Sequence, residues 1–215
     1  LGAGFLKQRP GPARAGPRLS SPAALAFRLQ RTSLIGWALG VSFTGFFFGV
    51  VANQADELLK NQAIADVFAQ SGSGTPTELF LATIVLMLAL VASGFAVSAV
   101  LRMRTEEFGL RVDPMLASVV ARRRWMLGYL GVALAGTLII MIASGVLVGV
   151  GYAVQMGDAG EIMPLVGASL AMVPALLVLS ALTAAFIGVH PTWASLAWAA
   201  VALAAVVGLL SETLG

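Results

Sequence analysis

Residues 79–101 read LFLATIVLMLALVASGFAVSAVL, without a single Asp, Glu, Lys or Arg. A helix needs ~20 apolar residues to cross a ~30 Å hydrocarbon layer. This run meets that length, and nothing inside it demands water. Four more charge-free runs lie on either side, at 33–52, 125–150, 162–189 and 193–210. Together the five make up more than half of the 215 residues. The expected fold is an all-α integral membrane bundle with five spans.

Composition agrees. The chain is 59% hydrophobic and 11% charged, whereas soluble domains carry about 25% charged residues. There is no cysteine and one histidine. That excludes a disulfide framework and a thiolate nucleophile, and no metal centre is expected.

The placement of charge gives an orientation. Lys7, Arg9, Arg14, Arg18, Arg28 and Arg31 precede the first span with no acid among them. The next connection, 53–78, has only Lys60 as a base, and 102–124 has six arginines. Residues 151–161 carry Asp158 and Glu161 but no Lys or Arg. By the positive-inside rule the N-terminus and the 102–124 loop are cytoplasmic, and 53–78 is outside. The turn at 190–192 is then inside, with His190 as a solvated residue, and the C-terminus is outside. An odd span count suggests a sixth helix beyond Gly215. The chain reads as the later part of a longer polypeptide.

Local signals refine this map. Residues 1–19 are a basic, Pro-rich flexible linker. Residues 20–32, with Ser21 as N-cap and Pro22 behind it, form either an interfacial helix or an extension of the first span. Ala55, Leu59, Ala63 and Val67 place an apolar stripe on an outer-loop helix. Thr75-Pro76-Thr77-Glu78 is a capping box that opens the second span, so Glu78 reads as a cap. Gly36/Gly40, Gly45/Gly49 and Gly145/Gly149 allow close helix contact, either within the bundle or across a seam to another half. Pro174 predicts a kink within 162–189, as a hinge for alternating access or as a packing bend. Pro164 reads as a helix opener. Phe43, Phe46, Phe47, Met87, Met141 and Met172 are candidates to line a cavity for lipophilic compounds. The competing reading of each is lipid contact or core packing.

The 102–124 loop carries the most specific chemistry. The second span can run on through Glu106 and Glu107, and Gly109 is a natural stop. Asp113-Pro114 starts a short helix bearing Met115, Leu116, Val119 and Val120. Arg122–Arg124 alone satisfy a topological anchor. Glu106, Glu107 and Asp113 are not needed for topology, and at a cytosolic surface they suit a basic partner.

The run Glu106-Glu107 … Arg111-x-Asp113-Pro-x-Leu-Ala117-x-x-Val-x-Arg-Arg-Arg-Trp125 resembles the first cytosolic loop of ABC-2-type exporter permeases. It is most similar to the actinobacterial group associated with polyketide-antibiotic and multidrug export. Such permeases have two six-helix halves, and this chain resembles a C-terminal half, opening at Leu29-Gln30-Arg31 … Gly36-Trp37. The resemblance implies that the loop holds a coupling helix that docks on an ATP-binding subunit. It makes Glu106, Glu107, Arg111, Asp113, Leu116 and Ala117 the contact candidates. It also implies a second permease half or copy, with ATP and Mg in the partner subunit. Two features depart from the pattern. Leu110, not glycine, precedes Arg111, and the last helix is absent.

The chain has no Gly-x-x-x-x-Gly-Lys-Ser/Thr, hence no phosphate-cradling loop of its own. It is therefore expected to be a transport subunit and not an enzyme, with no cofactor and no nucleic-acid partner. Charge-free spans also argue against ion-coupled transport, which uses ionisable groups in the membrane. The leading expectation is a permease or half-permease that moves hydrophobic compounds outward across the plasma membrane. An ion-independent channel, a secondary carrier and a non-transporting anchor subunit remain as alternatives.

Overall fold

The computed structural model describes residues 22–54, 75–108, 122–157 and 159–214. Every regular element among them is helical. The helices are α1 (Pro22–Val51), α2 (Pro76–Phe108), α3 (Arg122–Met156), α4 (Ile162–Ala171), α5 (Val173–Val189) and α6 (Leu196–Leu214). By length and composition, Ala23–Val51, Thr77–Met103, Met126–Met156 and Ala159–Val189 can each cross a membrane, while apolar Trp193–Gly208 is shorter. The expected run at 193–210 thus corresponds to the 3-10 turn Pro191–Ser195 followed by α6. The 1–19 linker, Ser21 and the outer-loop stripe from Ala55 to Val67 lie outside the described residues.

α1 runs unbroken from the segment whose reading the sequence left open into the first span. Residues 22–31 continue the first span as one helix with 33–51. Its 30 residues rise to about 45 Å, longer than the hydrocarbon layer. α2 starts at the capping box. Thr75 N–H donates to Glu78 Oε2 at 2.8 Å, and Glu78 N–H donates to Thr75 Oγ1 at 3.3 Å. Two otherwise orphaned donors of the first turn are satisfied this way.

α2 is the central helix. Its apolar window is 67% buried, against 28% for α1, and it touches every other helix. α1 and α3 lie side by side in the same direction, and α2 packs antiparallel across both. That direction follows from the pairs Leu34–Gly136 and Gly45–Val148 for the first two helices, and Trp37–Gly94 with Gly45–Leu88 for the third.

Glycine decides how closely α1 and α3 approach. A Cβ at Gly49 would collide with the Val148 carbonyl, and one at Gly151 with the Phe46 carbonyl. A Cβ at Gly45 would sit 2.9 Å from Val148 Cγ2. Only hydrogen fits there. In lipid such contact matters because helix association gains nothing from hiding apolar surface and relies on close packing. On the next seam, a Cβ at Gly145 or Gly149 would crowd Val166, Ser169 or Ile162 of α4. These two expected pairs are therefore internal packing. At Gly36 and Gly40 nothing lies within 4 Å of an added Cβ.

Several buried hydroxyls are satisfied within their own helices, Ser42 Oγ being an exception. Ser93 donates to Leu90 O at 2.6 Å, Thr137 to Ala133 O at 2.8 Å and Thr183 to Leu179 O at 2.7 Å. Such back-bonding lets polar side chains sit in a bundle that water does not reach.

Gly49→Ala is expected to destabilise the protein by about 1–3 kcal/mol through overpacking. Gly167→Ala, which meets open space, should stay within about 0.5 kcal/mol. Thermal unfolding of the detergent-solubilised protein measures both.

Candidate functional site

Two regions are candidates for a functional site: the arginine-rich end, where α2 leaves the bundle toward α3, and the clefts along α1. α2 continues helically through Glu106 and Glu107 to Phe108, directly before Gly109. α3 resumes at Arg122. Arg111, Asp113, Leu116 and Ala117 lie outside the described residues. So do the side chains of Glu106 and Glu107, whose backbone forms the last turn of α2.

Just inside that end, α1 and α2 are tied by two polar contacts. Arg102 Nη1 donates to the Leu29 carbonyl at 2.6 Å. Gln30 Nε2 donates to the Ala99 carbonyl at 3.4 Å. Gln30 is only 2% exposed, and its Oε1 has no hydrogen-bond partner. A cleft of about 450 Å³ opens here, lined by Gln30, Ser33, Ser98 and Arg102 among others. A second cleft of about 520 Å³ follows along the same two helices, lined by Ser33, Gly36, Trp37, Gly40, Leu88 and Val91 among others. A third, about 350 Å³ and almost wholly apolar, lies between α1 and α3 near Phe27, Leu34 and Gly131.

The six cavity candidates do not converge. Phe43, Phe47 and Met87 are exposed on the outside of the bundle. Phe43 and Phe47 stack edge to face at 4.7 Å, and Phe46 meets Phe47 at 5.9 Å. Met141 has 0% exposure and is part of the core. Met172 is half-buried against that core at the junction of α4 and α5. None of the six lines the three clefts described above.

The expected interruption of 162–189 is present, two residues before Pro174. The helix breaks at Met172, whose N–H bonds Ser169 O at 3.2 Å in a tightened turn. Pro174 then sits in the first turn of α5. The cause is steric and electronic: proline brings no N–H for the Leu170 carbonyl, and its ring crowds that carbonyl. Pro164 is near the start of α4. His190 is exposed at the end of α5, its ring 6.5 Å from that of Trp193.

Gln30 and Arg102 went unread as a pair. A signal for Gln30 does exist: Ala26, Gln30 and Leu34 recur every four residues, and all three are buried. An amide on a buried stripe demands a partner. A count of arginines on either side of the membrane does not show that Arg102 reaches α1.

Residues 19–215 match the profile described as the C-terminal domain of the multidrug efflux system permease Rv1217c. The chain belongs to this family. Over 201 residues it is 40% identical to a protein of Mycobacterium tuberculosis (strain ATCC 25618 / H37Rv) named multidrug efflux system permease protein Rv1217c. The alignment covers 92% of this chain and 37% of that relative's length. The Rv1217c-type C-terminal domain therefore takes in every described helix, including both flanks of the 109–121 stretch. With its long apolar helices, this member is a multi-pass membrane protein.

Pro174→Ala supplies the missing donor opposite Leu170. Hydrogen exchange of the amides at 172–176 should slow as α4 and α5 join into one helix. An unchanged exchange pattern would assign the break to neighbouring packing instead.

Proposed function

We propose that this chain is the C-terminal, membrane-crossing half of an ATP-driven exporter permease in the plasma membrane. The observation that carries the proposal is the match of residues 19–215 to an efflux-permease domain. The relative is much longer than this chain, which spans 37% of it, so a second half has room elsewhere in such a protein. The cargo is hydrophobic or amphipathic, as the apolar lining of the clefts favours. The protein performs no hydrolysis itself. ATP and Mg belong to a separate cytosolic subunit that docks on residues 102–124.

Physical reasoning supports this division of labour. Five runs free of Asp, Glu, Lys and Arg leave no intramembrane carboxylate to carry a proton, so a proton gradient has no handle. Energy has to arrive mechanically from outside the bilayer. The stretch between α2 and α3 suits that input. α2 is the central helix, and it projects through Glu106 and Glu107 without a break. A push at its end reaches every helix it touches. The break at Met172 gives α4 and α5 a place to bend against it. A secondary carrier would need an ionisable group inside the spans, and a passive anchor would not need acids at 106, 107 and 113.

The full permease, purified with its cytosolic ATPase, tests the proposal. Reversing charge with Glu106→Lys, Glu107→Lys and Asp113→Lys should weaken subunit association and permease-stimulated ATP hydrolysis by at least about tenfold. Unchanged association and stimulation would remove residues 102–124 as the coupling segment.

A further inference from the structure

We propose that the groove between α1 and α2 is a binding site for an amphiphile whose anionic head carries a hydroxyl and whose apolar body lies along α1. The two α1–α2 clefts meet at Ser33, which lines both. Their character changes along the groove. At the arginine-rich end the walls are Gln30, Ser33, Ser98 and Arg102. Farther in they become Gly36, Trp37, Gly40, Val41, Leu88 and Val91. From Gln30 to Thr44 the groove follows α1 for about 21 Å.

Two independent observations select the head. Arg102 is held in place because Nη1 is anchored on the Leu29 carbonyl. A guanidinium has five N–H donors, so others remain for an anion. A phosphate or carboxylate beside a fixed arginine forms charge-assisted hydrogen bonds, the strongest such contact available at a membrane edge. The second observation is Gln30, almost wholly buried, which lines the same cleft and whose Oε1 has no hydrogen-bond partner. Leaving a buried acceptor unmet is costly, and it calls for a donor. A hydroxyl next to the anionic group answers both demands. Ser93, Thr137 and Thr183 show the contrast, since each finds a carbonyl in its own helix.

The body of the ligand is set by what α1 lacks. Gly36 and Gly40 leave space in which an added Cβ meets nothing within 4 Å. Trp37 forms one wall and is fixed from behind, since its ring lies where a side chain at Gly94 would be. Exposed Phe43 and Phe47 follow Gly36 and Gly40 at helical spacing, so the apolar stripe extends past the cleft. Two sources could supply such a molecule: a phospholipid of the bilayer or an exported amphiphile. Binding at this groove is independent of the exporter reading, because it is measured without transport.

The test uses the full permease in detergent and native mass spectrometry. The probe is lysophosphatidylglycerol, and monoacylglycerol of the same chain is the uncharged control. The phosphate-bearing probe should bind at least about tenfold more tightly than the control. Arg102→Gln should erase that preference. Gly40→Leu, which fills open space and so leaves folding intact, should weaken both ligands. Gly167→Leu, on an open surface away from the groove, should weaken neither. Gln30→Met should hold or raise thermal stability by removing the unpaired oxygen, while weakening the probe. Protein purified from its own membranes separates the sources. Retained phosphatidylglycerol that Gly40→Leu releases identifies a bilayer lipid, and probe binding with no retained lipid identifies an exported amphiphile. Equal probe binding by the parent protein, Arg102→Gln and Gly40→Leu would overturn the site. So would loss of association between permease halves in Gly40→Leu with probe binding unchanged, which would make the groove a protein seam.

Discussion

Backbone meets backbone where α1 crosses α3. Gly49 lies against the Val148 carbonyl and Gly151 against the Phe46 carbonyl, with no room for a side chain at either. A soluble helix pair is pressed together by water, but lipid offers no comparable push. Dispersion contacts at short range have to suffice, and they fade within a fraction of an ångström of separation. The Gly45/Gly49 face of α1 is therefore committed to α3. That commitment turns Gly36, Gly40, Phe43 and Phe47 outward and leaves the groove against α2 open.

The same solvent governs the polar atoms. Hydrocarbon accepts no unsatisfied donor or acceptor cheaply, and the buried Ser and Thr hydroxyls comply by bonding one turn back. Gln30 Oε1 and Ser42 Oγ are the exceptions among the described residues. Ser42 sits alone on α1, whereas Gln30 shares a cleft with Arg102. α2 is the most buried of the long apolar helices and runs past the apolar zone, which is why the proposed function uses it as the lever.

Much of this was legible in the sequence because membrane crossing is a local property. The five charge-free runs mark the four candidate spans and the shorter apolar stretch Trp193–Gly208, and Thr75 with Glu78 marks where α2 begins. Gly45/Gly49 and Gly145/Gly149 announce close seams, although spacing alone did not tell internal seams from external ones. Gly36/Gly40 looked identical in the sequence and turned out open. The α1 boundary was harder, since Arg28 and Arg31 mark the membrane surface without ending a helix. Pro174 foretold a break but not its position at Met172, which depends on the lost bond to Leu170. The six cavity candidates lie apart for a plain reason. Phe and Met are welcome in core, groove and lipid alike, so residue type does not say which one they face. Met141 went to the core, while Phe43 and Phe47 went to the surface.

Transport by the intact permease, reconstituted in liposomes with the cytosolic ATPase that the proposed function requires, bears most directly on the proposal of a neutral bundle driven from outside. A fluorescent lipophilic cation and a protonophore complete the assay. Accumulation should require ATP and both proteins, and it should persist undiminished when the protonophore collapses the pH gradient. Uptake that runs on an imposed pH gradient without the ATPase would contradict the account, because the energy would then enter the permease without the ATP-binding subunit.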